Sequence, residues 1–222
     1  WKMDKAGHII KNLTSCFIGQ VNNPPQPGNQ TLTQVQQIAQ SGCVAFYKTG
    51  PTEFLGNFAA APINLWEKTF QCAEAAFQWM KYKLIARDNN LAEDKELDKF
   101  FTMNGEDAFT HNRILAQKYH EKYVNHWKQG IRDQVMWDVL QAKFGQNQGM
   151  YMLLKATGKA YLLEHNEATR DDYWSDNLDG SGRNMLGQML MAIRDGQQCP
   201  AVNNLDPQMM QYTNYVNQKI QS

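Results

Sequence analysis

Glu74 and Lys81 stand seven residues apart in the segment Phe70-Gln-Cys-Ala-Glu74-Ala-Ala-Phe-Gln78-Trp-Met-Lys81-Tyr82. On a helix this spacing leaves them about 20° apart in azimuth and on the order of 10 Å apart along the axis. Ion pairs within a helix form at i,i+3 or i,i+4, so direct pairing does not explain the spacing. A carboxylate and an amine two turns apart can instead reach one small ligand from two sides, with Gln78 between them as a hydrogen-bond donor. The competing explanation is two boundary residues whose charged heads reach out to water. The chemistry open to such a pair is definite. A half-buried Glu acts as general acid or base. A Lys beside apolar surface presents a neutral amine, a nucleophile for the anomeric carbon or aldehyde of a sugar.

A second stretch, Asp179-Gly-Ser-Gly-Arg183-Asn184-Met-Leu-Gly187, is a glycine-rich turn running into an apolar helical segment. It is neither a dinucleotide-binding fingerprint nor a Walker loop. Its glycines let backbone amides approach an anion at a helix N-terminus, and Arg183 adds a bidentate donor. A plain turn with Asn184 as helix cap accounts for the same residues. Trp79, Trp127 and Trp174 are each able to stack on a nucleobase or to fill a core. Glu164-His165-Asn166 and Asp171-Asp172-Tyr-Trp174 add carboxylates near a predicted strand end, where loop solvation is the alternative.

Elements must position these groups. Phe70, Ala73, Phe77, Met80 and Leu84 repeat at i, i+3, i+7, i+10 and i+14, which predicts a helix from Phe70 with an apolar stripe. Cys43-Val-Ala-Phe-Tyr47 and Tyr161-Leu-Leu-Glu164 read as strands, and Ile63-Asn-Leu as a further short strand after a loop over 54–62. Helical patterns cover 33–40, 91–102, 106–122, 128–144 and 185–195, with a weaker one near 207–220. Gly19 to Gly42 is rich in Pro, Gln and Asn and reads largely as loop. The fold class is α+β: a mostly helical single domain with a few short strands.

Composition narrows the function. The 222 residues carry 22 basic and 22 acidic side chains, so a strongly basic, nonspecific nucleic-acid binder is not indicated. Charge is nonetheless uneven. Arg113, Lys118, Lys122, Lys128 and Arg132 lie with three histidines between His111 and Arg132, against Glu121 alone. This is either a solvated helix face or a phosphate-facing side. No apolar run is long enough for a membrane span. Cys16, Cys43, Cys72 and Cys199 form no C-x-x-C pair and have no His at metal-ligand spacing, so reduced thiols, a cytoplasmic setting and no metal are expected.

Taken in order, Phe46-Tyr47, Gly56-Asn57-Phe58, Glu74-x-x-Phe77-Gln78-x-x-Lys81-Tyr82, Trp127 with Gln134-Val-Met136, and Leu140-x-Ala-Lys143-Phe144-x-Gln-Asn147 form a series. It continues through Leu153-Leu-x-x-Thr157-Gly158, Leu163-Glu164-x-Asn166, Tyr173-Trp174, Asp179-Gly-x-Gly182-x-Asn184-x-Leu186-Gly187, Leu190-Met191 and Arg194. This series resembles the NADAR family of YbiA-like N-glycosidases. The resemblance implies a NADAR-like catalytic domain over 44–196, a divergent N-terminal extension over 1–43 and a C-terminal tail over 197–222. Ala75 stands where relatives usually place a His, and Ser175 where they often place a Gly.

The resemblance further implies cleavage of a ribose–base C–N bond without cofactor or metal. The expected substrate is ADP-ribosylated guanine in nucleic acid. Alternatives are a ribosylamino-pyrimidine phosphate of riboflavin biosynthesis, or binding of ADP-ribose or NAD without cleavage. Lys81 would form a transient Schiff base with the opened ribose, and Glu74 would transfer the proton. Asn57, Phe58, Gln78, Trp127, Trp174, Arg183, Asn184 and Gly187 are the implied substrate-binding residues, with either Asp171 or Asp172 orienting the sugar hydroxyls.

Overall fold

A computed structural model describes residues 29–92, 94–120, 122–125, 127–166, 171–201 and 206–221. The Pro-rich segment over 19–28, Cys16 and His126 lie outside the described residues. The chain runs α1 (Asn29–Ala39), β1 (Cys43–Phe46), β2 (Ala60–Leu65), β3 (Lys68–Cys72), α2 (Ala73–Asp88) and α3 (Gly105–Lys118). It continues α4 (Ile131–Gln146), α5 (Gln148–Ala156), β4 (Tyr161–Glu164), α6 (Met185–Asp195) and α7 (Met209–Gln221). The α+β class expected above is the class observed. Among the described residues no helix is long and apolar enough to cross a membrane.

The hairpin β2–β3 revises the expected helix start. Phe70, Gln71 and Cys72 belong to β3, and the helix begins at Ala73. Phe70 fits the helical stripe because strand and helix bury side chains into the same core. The reversal between the strands falls at Trp66 and Glu67, both with positive φ (54° and 61°). Neither is a residue that ordinarily signals such a turn, so nothing local marks Phe70 to Cys72 as the second strand of a hairpin. The segment over 91–102 is likewise a short 3-10 helix, Lys95–Phe101, rather than an α-helix.

α2 is the central element. It is buried on nearly every face, with Phe77, Trp79, Met80, Tyr82, Leu84 and Ile85 in the core and Ala73, Ala75, Ala76 and Ala86 where neighbours come close. An encased helix of this kind shows little amphipathic asymmetry. Its polar buried residues, Glu74 and Gln78, therefore stand out.

β1 and β4 pair in parallel, with Phe46 opposite Glu164, so the two strands end side by side. α6 packs tightly on β4: a side chain at Gly187 would collide with the Leu162 carbonyl. Two buried polar residues, Lys143 on α4 and Asn147 just after it, fix the hairpin and the loop before it. Lys143 Nζ donates to the Gly56 carbonyl at 2.7 Å, and Asn147 Nδ2 donates to the Pro62 carbonyl at 3.1 Å. Arg194 of α6 is buried and donates to the Ala160 carbonyl at 2.6 Å and to Thr157 Oγ1 at 3.1 Å, tying the end of α5 to the start of β4.

Candidate active site

The first turn of α2, the loop Gly56–Phe58 and the adjoining ends of β1 and β4 enclose a cavity of about 370 Å³. Carboxyl ends of parallel strands are where α/β sheets present ligand sites, and Tyr47, Lys48, Glu164 and Asn166 reach the cavity from there. Its walls are aromatic. Phe77 and Trp174 meet edge to face at 5.6 Å on one side. Phe58 and Phe109 lie 5.8 Å apart on the other, and Lys48 Nζ sits 4.8 Å from the Phe58 ring. Lys48 also pairs with Glu106 at 3.1 Å. Gly105 lets Phe58 pack directly on the start of α3, because a Cβ at 105 would strike the Phe58 Cα and Cβ.

Three carboxyl groups line this space: Glu74, Glu164 and Asp171. The Glu74 amide donates to the Asn57 carbonyl at 3.0 Å, which satisfies one of the free donors at the start of α2. Gln78 Nε2 donates to Glu74 Oε1 at 2.8 Å, one turn along. Burial pushes the Glu74 pKa up, against the Gln78 hydrogen bond and the nearby Lys81 charge. Glu164 is pushed well above the ordinary carboxyl value, first by burial and then by the negative charges of Asp171, Glu74 and Asp176. Asp171 is held by its own loop: Oδ1 accepts from the amides of Tyr173 at 3.0 Å and Trp174 at 2.8 Å, and Ser175 Oγ donates to the Asp171 carbonyl at 2.7 Å. Asp172 is exposed and does not line the cavity. Asn57 Oδ1, Gln78 Oε1 and Glu164 Oε2 are buried acceptors with no hydrogen-bond partner among the described residues. A ligand bringing several O–H or N–H donors would satisfy them.

Lys81 lies two turns beyond Glu74 on α2, beside the cavity rather than in its lining. Its Nζ donates to Asn112 Oδ1 at 2.5 Å, and the same oxygen accepts from the Tyr82 hydroxyl at 2.9 Å. Burial lowers the Lys81 pKa to about 8, against the opposing pull of Glu74. The acid and the amine thus sense each other without forming a direct ion pair.

The other expected site residues divide. Asn57, Phe58, Gln78, Asp171 and Trp174 converge on the cavity with Glu74. Trp127 stands behind it, its ring 5.6 Å from that of Phe77. Asn184 is fully buried and spent on backbone: Oδ1 accepts from the Glu164 amide at 2.9 Å, and Nδ2 donates to the Leu162 carbonyl at 2.8 Å. Gly187 lets α6 approach β4. These two residues therefore hold the strand that carries Glu164, rather than lining the cavity. Arg183 lies outside the lining, 5.8 Å from the Tyr173 ring. Lys48, Phe109 and Glu164 were not singled out as site residues from their spacing. The motif Leu163-Glu164-x-Asn166 and the parallel pairing of its strand are the signals that point to Glu164. Among the described residues no group of three or more His, Cys, Asp or Glu side chains could hold a metal ion.

The arrangement offers carboxyls whose pKa burial raises, a lysine of lowered pKa and a set of buried acceptors beside aromatic walls. The NADAR domain model matches residues 45–196, from β1 through α6. The chain belongs to the NADAR family. It is 32% identical over 164 residues to N-glycosidase YbiA of Shigella sonnei, covering 73% of this chain and 92% of that protein. It is 33% identical over 152 residues to a riboflavin biosynthesis protein of Vibrio vulnificus, covering 68% of this chain and 37% of that protein. The NMR structure of Escherichia coli YbiA superposes with a TM-score of 0.55 at 30% identity, over 69% of this chain and 83% of that one. The NADAR domain contains every residue that lines the cavity, whereas α1 and α7 lie outside it.

Proposed function

We propose that this NADAR-family chain removes ADP-ribose from guanine in nucleic acid, with Lys81 as nucleophile and Glu74 as acid and then base. N-glycosidase activity as such follows from the family and from the YbiA relatives that it matches over most of its length. The finer reading rests on one observation: a carboxyl raised and an amine lowered in pKa by burial, on the same flank of one helix at the edge of a nucleoside-sized cavity.

In this reading the neutral Lys81 amine leaves Asn112 and attacks C1′ of the ribose. The C1′–N bond breaks, its electron pair goes to the base nitrogen, and Glu74 supplies the proton that nitrogen takes up. The attached nitrogen then passes a proton to the ring oxygen as the ring C–O bond opens, which gives an iminium between Lys81 and C1′ and a free hydroxyl. Glu74, now ionised, takes a proton from the water that adds to C1′, and collapse of the adduct restores the amine and frees the sugar. Trp174 and Phe77 flank the ribose and base, and Asp171 and the orphaned acceptors take the sugar hydroxyls and the N–H edge of the base. The exposed Arg113, Lys122 and Lys128 suit a strand on either side of the modified nucleotide.

The Vibrio relative's name supports a second substrate, a ribosylamino-pyrimidine phosphate, which presents a similar amino-substituted ring edge. Incubation with a guanine-ADP-ribosylated oligonucleotide, followed by mass spectrometry, separates the two. Restored guanine with wild-type protein and none with Lys81→Ala supports the proposal. Turnover of the small metabolite alone transfers the assignment to the second substrate.

A further inference from the structure

α3 reaches the rim of the cavity with one large apolar side chain. Phe109 lines the cavity and is 39% exposed, so part of its ring meets solvent. Single exposed aromatics are common and mean little by themselves. Phe109 differs because it bounds the candidate active site and is one of a pair. Phe58 packs against it, with ring centroids 5.8 Å apart and planes tilted by 47°. Lys48 Nζ lies 4.8 Å from the Phe58 ring centroid and 5.9 Å from that of Phe109. Its ion pair with Glu106 places both signs of charge at this rim. An aromatic surface beside a matched ion pair suits a flat, neutral ring better than an anion.

The same helix joins this rim to the chemistry and to the basic side of the chain. Asn112, three residues after Phe109, accepts from Lys81 Nζ at 2.5 Å. Arg113, four residues after Phe109 and so its neighbour on the helix surface, is exposed. Glu106 and Asp107 occupy the first turn of α3, and the charged side chains that follow on this helix are Arg113 and Lys118, with His111 buried. An exposed ring with a cation one turn along is how single-stranded nucleic acid is held, a base on the ring and the backbone at the cation. In the reaction above Trp174 and Phe77 flank the ribose and base, so the Phe58–Phe109 side faces what adjoins them.

We propose that Phe109, supported by Phe58, is the stacking platform for the nucleobase next to the ADP-ribosylated guanosine, with Arg113 beside the connecting backbone. This rests on the nucleic-acid reading above and adds one unpaired neighbouring nucleotide to the substrate. A paired neighbour is stacked within its duplex and does not reach the ring, so a single strand is the form recognised. Every base has a π-face, so the platform does not choose among the four.

The test is the affinity of the full chain for single-stranded oligonucleotides carrying one ADP-ribosylated guanosine, read by fluorescence anisotropy in a Lys81→Ala background that removes turnover. The neighbours of that guanosine are intact, or abasic on one side or the other. An intact neighbour on one side is expected to tighten binding about tenfold over the abasic site. Phe109→Ala should abolish this preference by weakening only the oligonucleotide with the intact neighbour. Phe109→Tyr, which keeps the ring, should retain it, and an unchanged circular dichroism spectrum shows that each variant folds. No preference for an intact neighbour, a preference that survives Phe109→Ala, or no binding of any of these oligonucleotides would overturn the assignment. Equal loss on intact and abasic oligonucleotides also overturns it, because the ring would then contact the adenine of ADP-ribose or the guanine itself. A preference that depends on Phe109, in a protein whose wild type leaves ADP-ribosylated guanine intact, keeps the platform and rejects only the reaction. Release of guanine with no neighbour preference rejects the platform and keeps the reaction.

Discussion

In the proposed reaction Glu74 and Lys81 share one proton. With both groups protonated the amine cannot attack, and with both deprotonated the leaving base receives no proton. Burial brings the two pKa values toward each other, one raised from 4.5 and the other lowered to about 8. The one-proton pair is therefore populated between them, and the two limbs belong to the pair rather than to either residue. A plot of kcat/KM against pH is expected to be bell-shaped, with its alkaline limb near pH 8 and its acid limb above the ordinary carboxyl range. Glu74→Gln should lower kcat by about 10²–10⁴ and leave a residual rate that only rises with pH as Lys81 loses its proton. A residual profile that is still bell-shaped would assign the acid limb to another group, Glu164 being the nearest candidate.

The pair itself was legible in the sequence because its seven-residue spacing fits no intrahelical salt bridge. Glu164 was legible only as a strand-end carboxylate, since nothing in its neighbours records that α6 and the Asp171 loop would cover it. Asn184 looked like a cap or a ligand contact. Its φ of 49° and its three side-chain hydrogen bonds to residues 161–164 arise from a tertiary approach that no local pattern encodes.

Elements carry these residues, and two contacts between elements should report on how rigidly. Gly187→Ala would drive a methyl group into the Leu162 carbonyl, a backbone atom of β4 that cannot turn aside. Destabilisation of about 1–3 kcal/mol is expected in urea unfolding, as for overpacking elsewhere. Lys143 is fully buried, and burial lowers its pKa to about 7. Between that value and the ordinary lysine pKa of 10.5, the unfolded chain holds a proton that the folded chain has released. Stability contributed at this position therefore rises with pH across that window, by up to about 1.4 kcal/mol per pH unit. Comparing urea unfolding of wild type and Lys143→Met at pH 7 and pH 9 isolates the effect: the variant should gain less stability over the interval. An equal gain would show that Lys143 does not titrate there.

The strands β1 and β4 and the helices α4 and α6 were readable from alternation and period, because each buries a consistent set of side chains. The β2–β3 hairpin was hidden because its turn places two residues that do not favour left-handed backbone, Trp66 and Glu67, at positive φ.

At the scale of the whole molecule, net charge is zero, yet the cations of segment 111–132 are unevenly placed. Lys118 is engaged with Asp94 at 2.5 Å, whereas Arg113, Lys122 and Lys128 are exposed. If a nucleic-acid strand lies across this side, Lys122→Glu with Lys128→Glu should reduce kcat/KM on an ADP-ribosylated oligonucleotide about tenfold or more at low salt, and much less on an ADP-ribosylated mononucleotide. Equal effects would remove the strand from this face.

In the proposed reaction the α2 lysine bonds covalently to the ribose, and borohydride trapping tests this most directly. Reduction during turnover should leave a stable sugar adduct on Lys81, located by peptide mass spectrometry, absent from Lys81→Ala and from unreacted protein. Full turnover by Lys81→Ala, or an adduct on a different lysine in the wild type, would contradict the account.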